Sequence, residues 1–180
     1  MSEFALRDIE NSSVVRWPAD RFSDGNIYAA DSESNIDWSS LEAIGRNLTH
    51  GKVNNDFGEI DALLNMTTFV DSVSALFTNS SGDPINTTNF LVFKKTLYDV
   101  PITNSTNNTN FVTGITWDTS DDTNGEFDVG DKEDLVFLAE INKNKTGAYG
   151  VYDYEIRIPA KLREYYDANS REVVLYVELR

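Results

Sequence analysis

Gly150-Val151-Tyr152-Asp153-Tyr154-Glu155-Ile156-Arg157-Ile158 alternates with a period of two. Tyr152, Tyr154, Ile156 and Ile158 share one face; Asp153, Glu155 and Arg157 share the other. Successive side chains of a strand point to opposite sides, so this pattern describes a strand half buried in an antiparallel sheet. Val173, Leu175, Val177 and Leu179 repeat it near the end of the chain. Working outward, the same enrichment in Val, Ile, Tyr and Phe marks 90–98, 111–117 and 135–141, and the first strand reads back to Ala148. Five strands at short spacing, with no long helix between them, predict a mainly β fold, an antiparallel Greek-key β-sandwich.

The first half carries a helical period. Asp56 and Glu59 make a capping-box-like start, and apolar residues from Phe57 to Phe77 follow at helical spacings until Asn79-Ser80-Ser81-Gly82-Asp83-Pro84. Phe57 to Leu64 point one way and Phe69 to Phe77 another. The helical segment over about 56–78 is therefore buried on most sides, or broken near Met66-Thr67-Thr68, where β-branched residues weaken it. Ser39-Ser40-Leu41-Glu42 offers a cap for a short helix to about Gly45. Val14, Val15 and Trp17 form a short apolar patch stopped by Pro18, and 20–35 reads as polar. The predicted organisation is an N-terminal region, 1–89, packed on or inserted beside a sandwich domain, 90–180.

Composition is that of a folded protein, with 40% hydrophobic and 12% aromatic residues in 180. The net charge of −15 is spread along the chain, which repels nucleic acid and anionic headgroups. The first residues hold neither a positive n-region nor an apolar stretch, so they do not read as a signal peptide. Contact with a membrane is expected only through a segment preceding this sequence.

Asn-x-Ser/Thr acceptor triplets occur at Asn11, Asn47, Asn65, Asn79, Asn86, Asn104, Asn107 and Asn144, none with proline in the middle. Chance placement around 18 asparagines would give about three. The excess points to N-glycosylation on an extracellular, cell-surface chain. A secreted eukaryotic domain of this size usually carries disulfides, yet there is no cysteine. Sequons without cysteine suggest the surface of an archaeon.

Between Trp117 and Leu135, eight carboxylates share one stretch with a single lysine. Oxygen side chains at every second position around a glycine suit calcium, which takes six to eight oxygen ligands. On a calcium-loop template Ser120, Asp122 and Asn124 take positions 1, 3 and 5, and Gly125 makes the turn. Glu126 supplies the backbone carbonyl, Asp128 position 9 and Asp131 position 12. Ser at position 1 and Asp at position 12 depart from the standard loop, and a shifted register would recruit Asp118 and Asp121. Calcium is thus the candidate cofactor; a solvated acidic turn is the alternative.

No enzyme is expected. His50 is the only histidine and lies in a loop-like context, so His-dependent triads and His/Cys zinc sites are not marked. Gly147-Ala148-Tyr149-Gly150 is too short for a phosphate loop. A carboxylate pair such as Asp118 and Glu155 could serve a hydrolase in principle. Trp17, Trp38, Trp117 and Tyr165-Tyr166 could instead line a glycan-binding aromatic face.

Residues 111–180 resemble the extracellular domain of archaeal type IV pilin-like proteins, the archaellins and their accessory relatives. Ile115-Thr116-Trp117-Asp118, Phe127-Asp128-Val129-Gly130-Asp131, Leu135-Val136-Phe137-Leu138 and Tyr154-Glu155-Ile156-Arg157-Ile158-Pro159 carry the resemblance. The family's N-terminal hydrophobic helix has no counterpart in these residues, nor does 1–100 match. The resemblance implies a glycosylated sandwich, metal-binding in some members, that works by self-association or with other filament or envelope proteins. The expected function is a structural or adhesive subunit of a surface filament, pilus or archaellum, or of the envelope. The alternative is a carbohydrate-binding module.

Overall fold

The computed structural model describes residues 3–7, 13–18, 24–31, 36–45, 56–105, 109–127, 133–147, 150–159 and 173–180. In chain order the elements are β1 (Glu3–Arg7), β2 (Ser13–Pro18), β3 (Gly25–Asp31), β4 (Leu41–Ala43), α1 (Asp56–Leu63), α2 (Val73–Phe77), β5 (Thr87–Val92) and β6 (Lys95–Asn104). β7 (Val112–Asp118), β8 (Leu135–Glu140), β9 (Lys145–Gly147), β10 (Gly150–Tyr152) and β11 (Val173–Leu179) follow. The protein is mainly β. One antiparallel sheet runs β11-β3-β8-β7-β6-β5, with β4 also paired to β7; β1–β2 and β9–β10 are separate hairpins.

Both faces of that sheet are covered. On one, Ala29, Ile115, Trp117, Leu135 and Phe137 pack with Phe57, Ile60 and Leu64 of the α1 region and Val73 and Phe77 of α2. On the other, Tyr28, Ala30, Val136 and Leu138 pack with Phe90 and Val92 of β5 and Leu97 and Val100 of β6. β5 and the Lys95–Val100 part of β6 therefore fold over this face, while Ile102–Asn104 of the same strand stay paired with β7. Gly114 of β7 permits this approach: a Cβ there would lie 2.8 Å from the Phe90 ring and 3.0 Å from Val100.

A polar clasp fastens the hairpin tip to β3 and β11. Glu178 accepts hydrogen bonds from the Tyr28 hydroxyl, Asn26 Nδ2 (2.9 Å), Phe93 N (3.0 Å) and Arg180 (2.8 Å). Asn26 and Arg180 also each donate to the Leu91 carbonyl at 2.7 Å. Burial drives the Glu178 pKa up, but the bonds from Tyr28, Arg180 and Asn26 outweigh it and hold the carboxyl below its usual range.

The helical segment is broken at the predicted place. α1 ends at Leu63 and α2 starts at Val73. Asp61 explains the break: its buried carboxylate accepts from Val73 N (2.6 Å) and Ser74 N (3.1 Å), while Ser72 Oγ caps Ala75 N. An α1 side chain thereby starts α2, which one continuous helix would not allow.

Four readings need correction. The short helix after Ser39 is strand β4, because Leu41 and Ala43 are buried and the strand pairs with β7 from Asp118 to Thr116; Asp37 takes the hydroxyls of Ser39 and Ser40. The single strand 90–98 is a hairpin turning at Phe93-Lys94, both at positive φ (48° and 96°). Of the run 148–158, Gly150–Tyr152 is strand and 153–158 is not, while 148–149 lie outside the described residues. Beyond it, Tyr154, Ile156 and Ile158 still pack on the core, held by side-chain bonds such as Arg157 N to Thr113 Oγ1 (2.7 Å). Finally, β3 lies in the stretch read as polar and sits between β8 and β11, so the sheet takes strands from both sides of residue 89.

Candidate functional site

β7 delivers the acidic loop. Its last residue, Asp118, is buried, and its carboxylate accepts from Asp37 N (2.7 Å) and Ser120 N (2.9 Å). Thr119 Oγ1 donates to the Ser40 carbonyl at 2.8 Å, tying the loop to the turn before β4. Asp122 Oδ1 accepts from Asn124 N (2.9 Å) and Gly125 N (2.6 Å), and Asn124 Oδ1 from Glu126 N (2.7 Å). These are Asx turns, in which short polar side chains substitute for backbone turns, and Gly125 supplies the left-handed step at φ 90°. Phe127 then anchors the loop, buried with its ring edge-on to Trp117 at 5.9 Å.

Asp56 joins three segments at this point. From the first turn of α1 its Oδ2 accepts from Gly45 N (3.0 Å), just past β4, and its Oδ1 from Phe127 N (3.2 Å). Burial pushes its pKa to about 6 despite those two bonds, and Glu126 and Asp122 raise it further by repulsion. The sequence pattern marked Asp56 only as a helix start. Its bond to Phe127, 71 residues away, carries no local signal.

Of the candidate calcium ligands, Ser120, Asp122, Asn124 and Glu126 are brought into one tight loop, whereas Asp128 and Asp131 lie outside the described residues. Among the described residues no three His, Cys, Asp or Glu side chains converge as a metal site would require. The Asx turns use one oxygen each of Asp122 and Asn124, and a carbonyl or carboxylate oxygen has a second lone pair for a cation. Asp118, one half of the carboxylate pair considered for hydrolysis, already spends both oxygens on backbone N–H groups. His50 lies outside the described residues.

The described sequon asparagines, Asn65, Asn79, Asn86, Asn104 and Asn144, are all exposed. Asn11, Asn47 and Asn107 lie outside the described residues. Trp38 and Trp117 part company: Trp117 is core, while Trp38 is half-buried against Tyr28, Phe93 and Tyr176 at centroid distances of 4.9, 5.4 and 5.0 Å. Trp17 pairs with Phe4 across the β1–β2 hairpin, and Tyr165-Tyr166 lie outside the described residues. No family model, curated protein or solved structure matches the chain.

Proposed function

We propose that this chain is a non-enzymatic, N-glycosylated extracellular domain serving as a structural or adhesive subunit of an archaeal surface filament or cell envelope. The observation that carries the reading is the sequon excess, supported by the exposure of every described acceptor asparagine. The filament component rests on the resemblance of 111–180 to pilin-like domains. Calcium in the 120–131 loop would be structural, neutralising part of the −15 charge and holding β7 and β8 together. Surface biotinylation of intact source cells, followed by sedimentation of sheared filaments, tests the reading. The chain should be labelled and should sediment with filaments or envelope; a chain protected inside the cell contradicts it.

Glycan recognition is the second reading, favoured by one observation. Phe93 is 45% exposed beside Trp38, leaving an aromatic edge in reach of a sugar ring. Saturable glycan binding by the isolated chain, lost in Phe93→Ala, would support it; no binding removes it.

A further inference from the structure

The five described sequons are equally exposed at asparagine but unequally presented. A glycosyl transferase must take hold of the whole triplet, with the third-position hydroxyl reachable as well as the asparagine. At Asn79-Ser80-Ser81 and Asn144-Lys145-Thr146 all three residues are exposed. Asn79 sits in the turn after α2, where its Oδ1 accepts from Ser81 N (2.8 Å) and Asp83 N (3.2 Å). That turn does not use Nδ2, the atom to which a glycan is joined. Asn144 sits in the turn before β9, at φ 58°, but Lys145 and Thr146 are strand-paired with Tyr152 and Val151 of β10, and Asn110 Nδ2 donates to the Thr146 carbonyl at 2.9 Å, so this triplet is held by its sheet.

The other three triplets are also anchored. In Asn65-Met66-Thr67 the middle residue is a core plug: Met66 is 1% exposed, packs in the helix-covered core and donates to Asp61 O at 2.7 Å. In Asn86-Thr87-Thr88, Thr87 and Thr88 are paired with Pro101 and Val100 of β6, and Thr88 is half-buried. In the third, Asn104 pairs with Val112, while the Ser105 hydroxyl bonds Glu155 O and Thr113 Oγ1, both at 2.9 Å. Lifting any of these into a transferase cleft breaks core packing or sheet pairing.

We infer that Asn79 is, among the described sequons, the glycan acceptor of the folded chain, and that Asn65, Asn86, Asn104 and Asn144 accept glycan only when their surroundings are opened. This rests on the glycoprotein reading and narrows it. In the transfer, Nδ2 bonds to the anomeric carbon of a polyprenyl-pyrophosphate-linked oligosaccharide as that carbon's bond to the phosphate oxygen breaks. The lipid pyrophosphate leaves with the electron pair, and the amide proton passes to a base of the transferase.

The test offers the folded, unmodified chain to a sequon-specific oligosaccharyltransferase with that donor, and in parallel a Glu-C digest of the denatured chain cut after Asp as well as Glu, which cuts no sequon and puts each described one on a short peptide. Glycopeptide mass spectrometry reads both. On the folded chain Asn79 should be modified about tenfold faster than the other four, since access there requires local opening. In the digest the difference should disappear. Equal modification of Asn65 and Asn79 on the folded chain overturns the inference, as does silence at Asn79 when the digest reacts there. Native protein from its source is the separate control: glycan on none of its sequons overturns the glycoprotein reading, whatever order the folded chain shows in the assay.

Discussion

Asp56 is the residue whose protonation the fold feels most directly. Its carboxyl titrates at about 6 in the folded chain and near 3.8 when unfolded. Between those values the folded state holds more protons, so the Asp56 contribution makes stability fall as pH rises from about 4 to 6. Glu178 acts in the opposite sense: its pKa is held low, so its contribution is lost as pH falls through that depressed value. Comparing wild type with Asp56→Asn separates the two. Urea unfolding across pH 4 to 6 should show wild type losing on the order of 2 kcal/mol more than the variant. Parallel curves would contradict the assignment. Asp56 was legible as a helix start, but its buried charge was not, because the loop that faces it is distant in sequence.

The β5–β6 hairpin is the element that the sequence concealed. A two-residue hairpin turn of the kind with positive φ at both positions is normally signalled by Asn-Gly, whereas here Phe93-Lys94 supplies it. Tertiary contacts hold that turn: Phe93 N donates to Glu178 and its ring stacks on Tyr28 at 6.0 Å. Lys94 is exposed at φ 96°, so Lys94→Gly should stabilise by about 0.5–1 kcal/mol in denaturant melts. Gly114→Ala should destabilise by about 1–3 kcal/mol, because its Cβ would meet Phe90, Val100 and Leu138 within 3.1 Å. Phe90→Leu in the same chain should recover part of that loss. An unchanged midpoint for Gly114→Ala would show that the hairpin does not lie on β7. β3 was hidden differently: Gly25-Asn26-Ile27-Tyr28-Ala29-Ala30 is buried on both faces and so lacks the alternation that exposed strands display. The β7, β8 and β11 patterns were legible because each has a run of β-branched and aromatic residues long enough to declare itself.

For the whole molecule the −15 charge sets the terms. Self-repulsion opposes the compact state and is screened by salt, so the melting temperature should rise between 0.05 and 1 M NaCl as the screening length shortens from over 10 Å to about 3 Å. Calcium should add to this if the 120–131 loop binds it. At 100 times Kd a ligand of the native state contributes about 2.7 kcal/mol, and Asp122→Ala and Asp128→Ala should abolish that increment. A calcium shift equal in wild type and both variants would assign it to general screening. Fold class and sequons were readable because each is a repeated local pattern; the clasp of Asn26, Tyr28, Glu178 and Arg180 was not, because it is assembled only by the folded sheet. The central claim, a glycosylated surface domain, is tested most directly by the intact mass of the protein from its source before and after release of N-linked glycans. The account expects the mass to fall on release, by the mass of the attached glycans. A native mass unchanged by the treatment would contradict it.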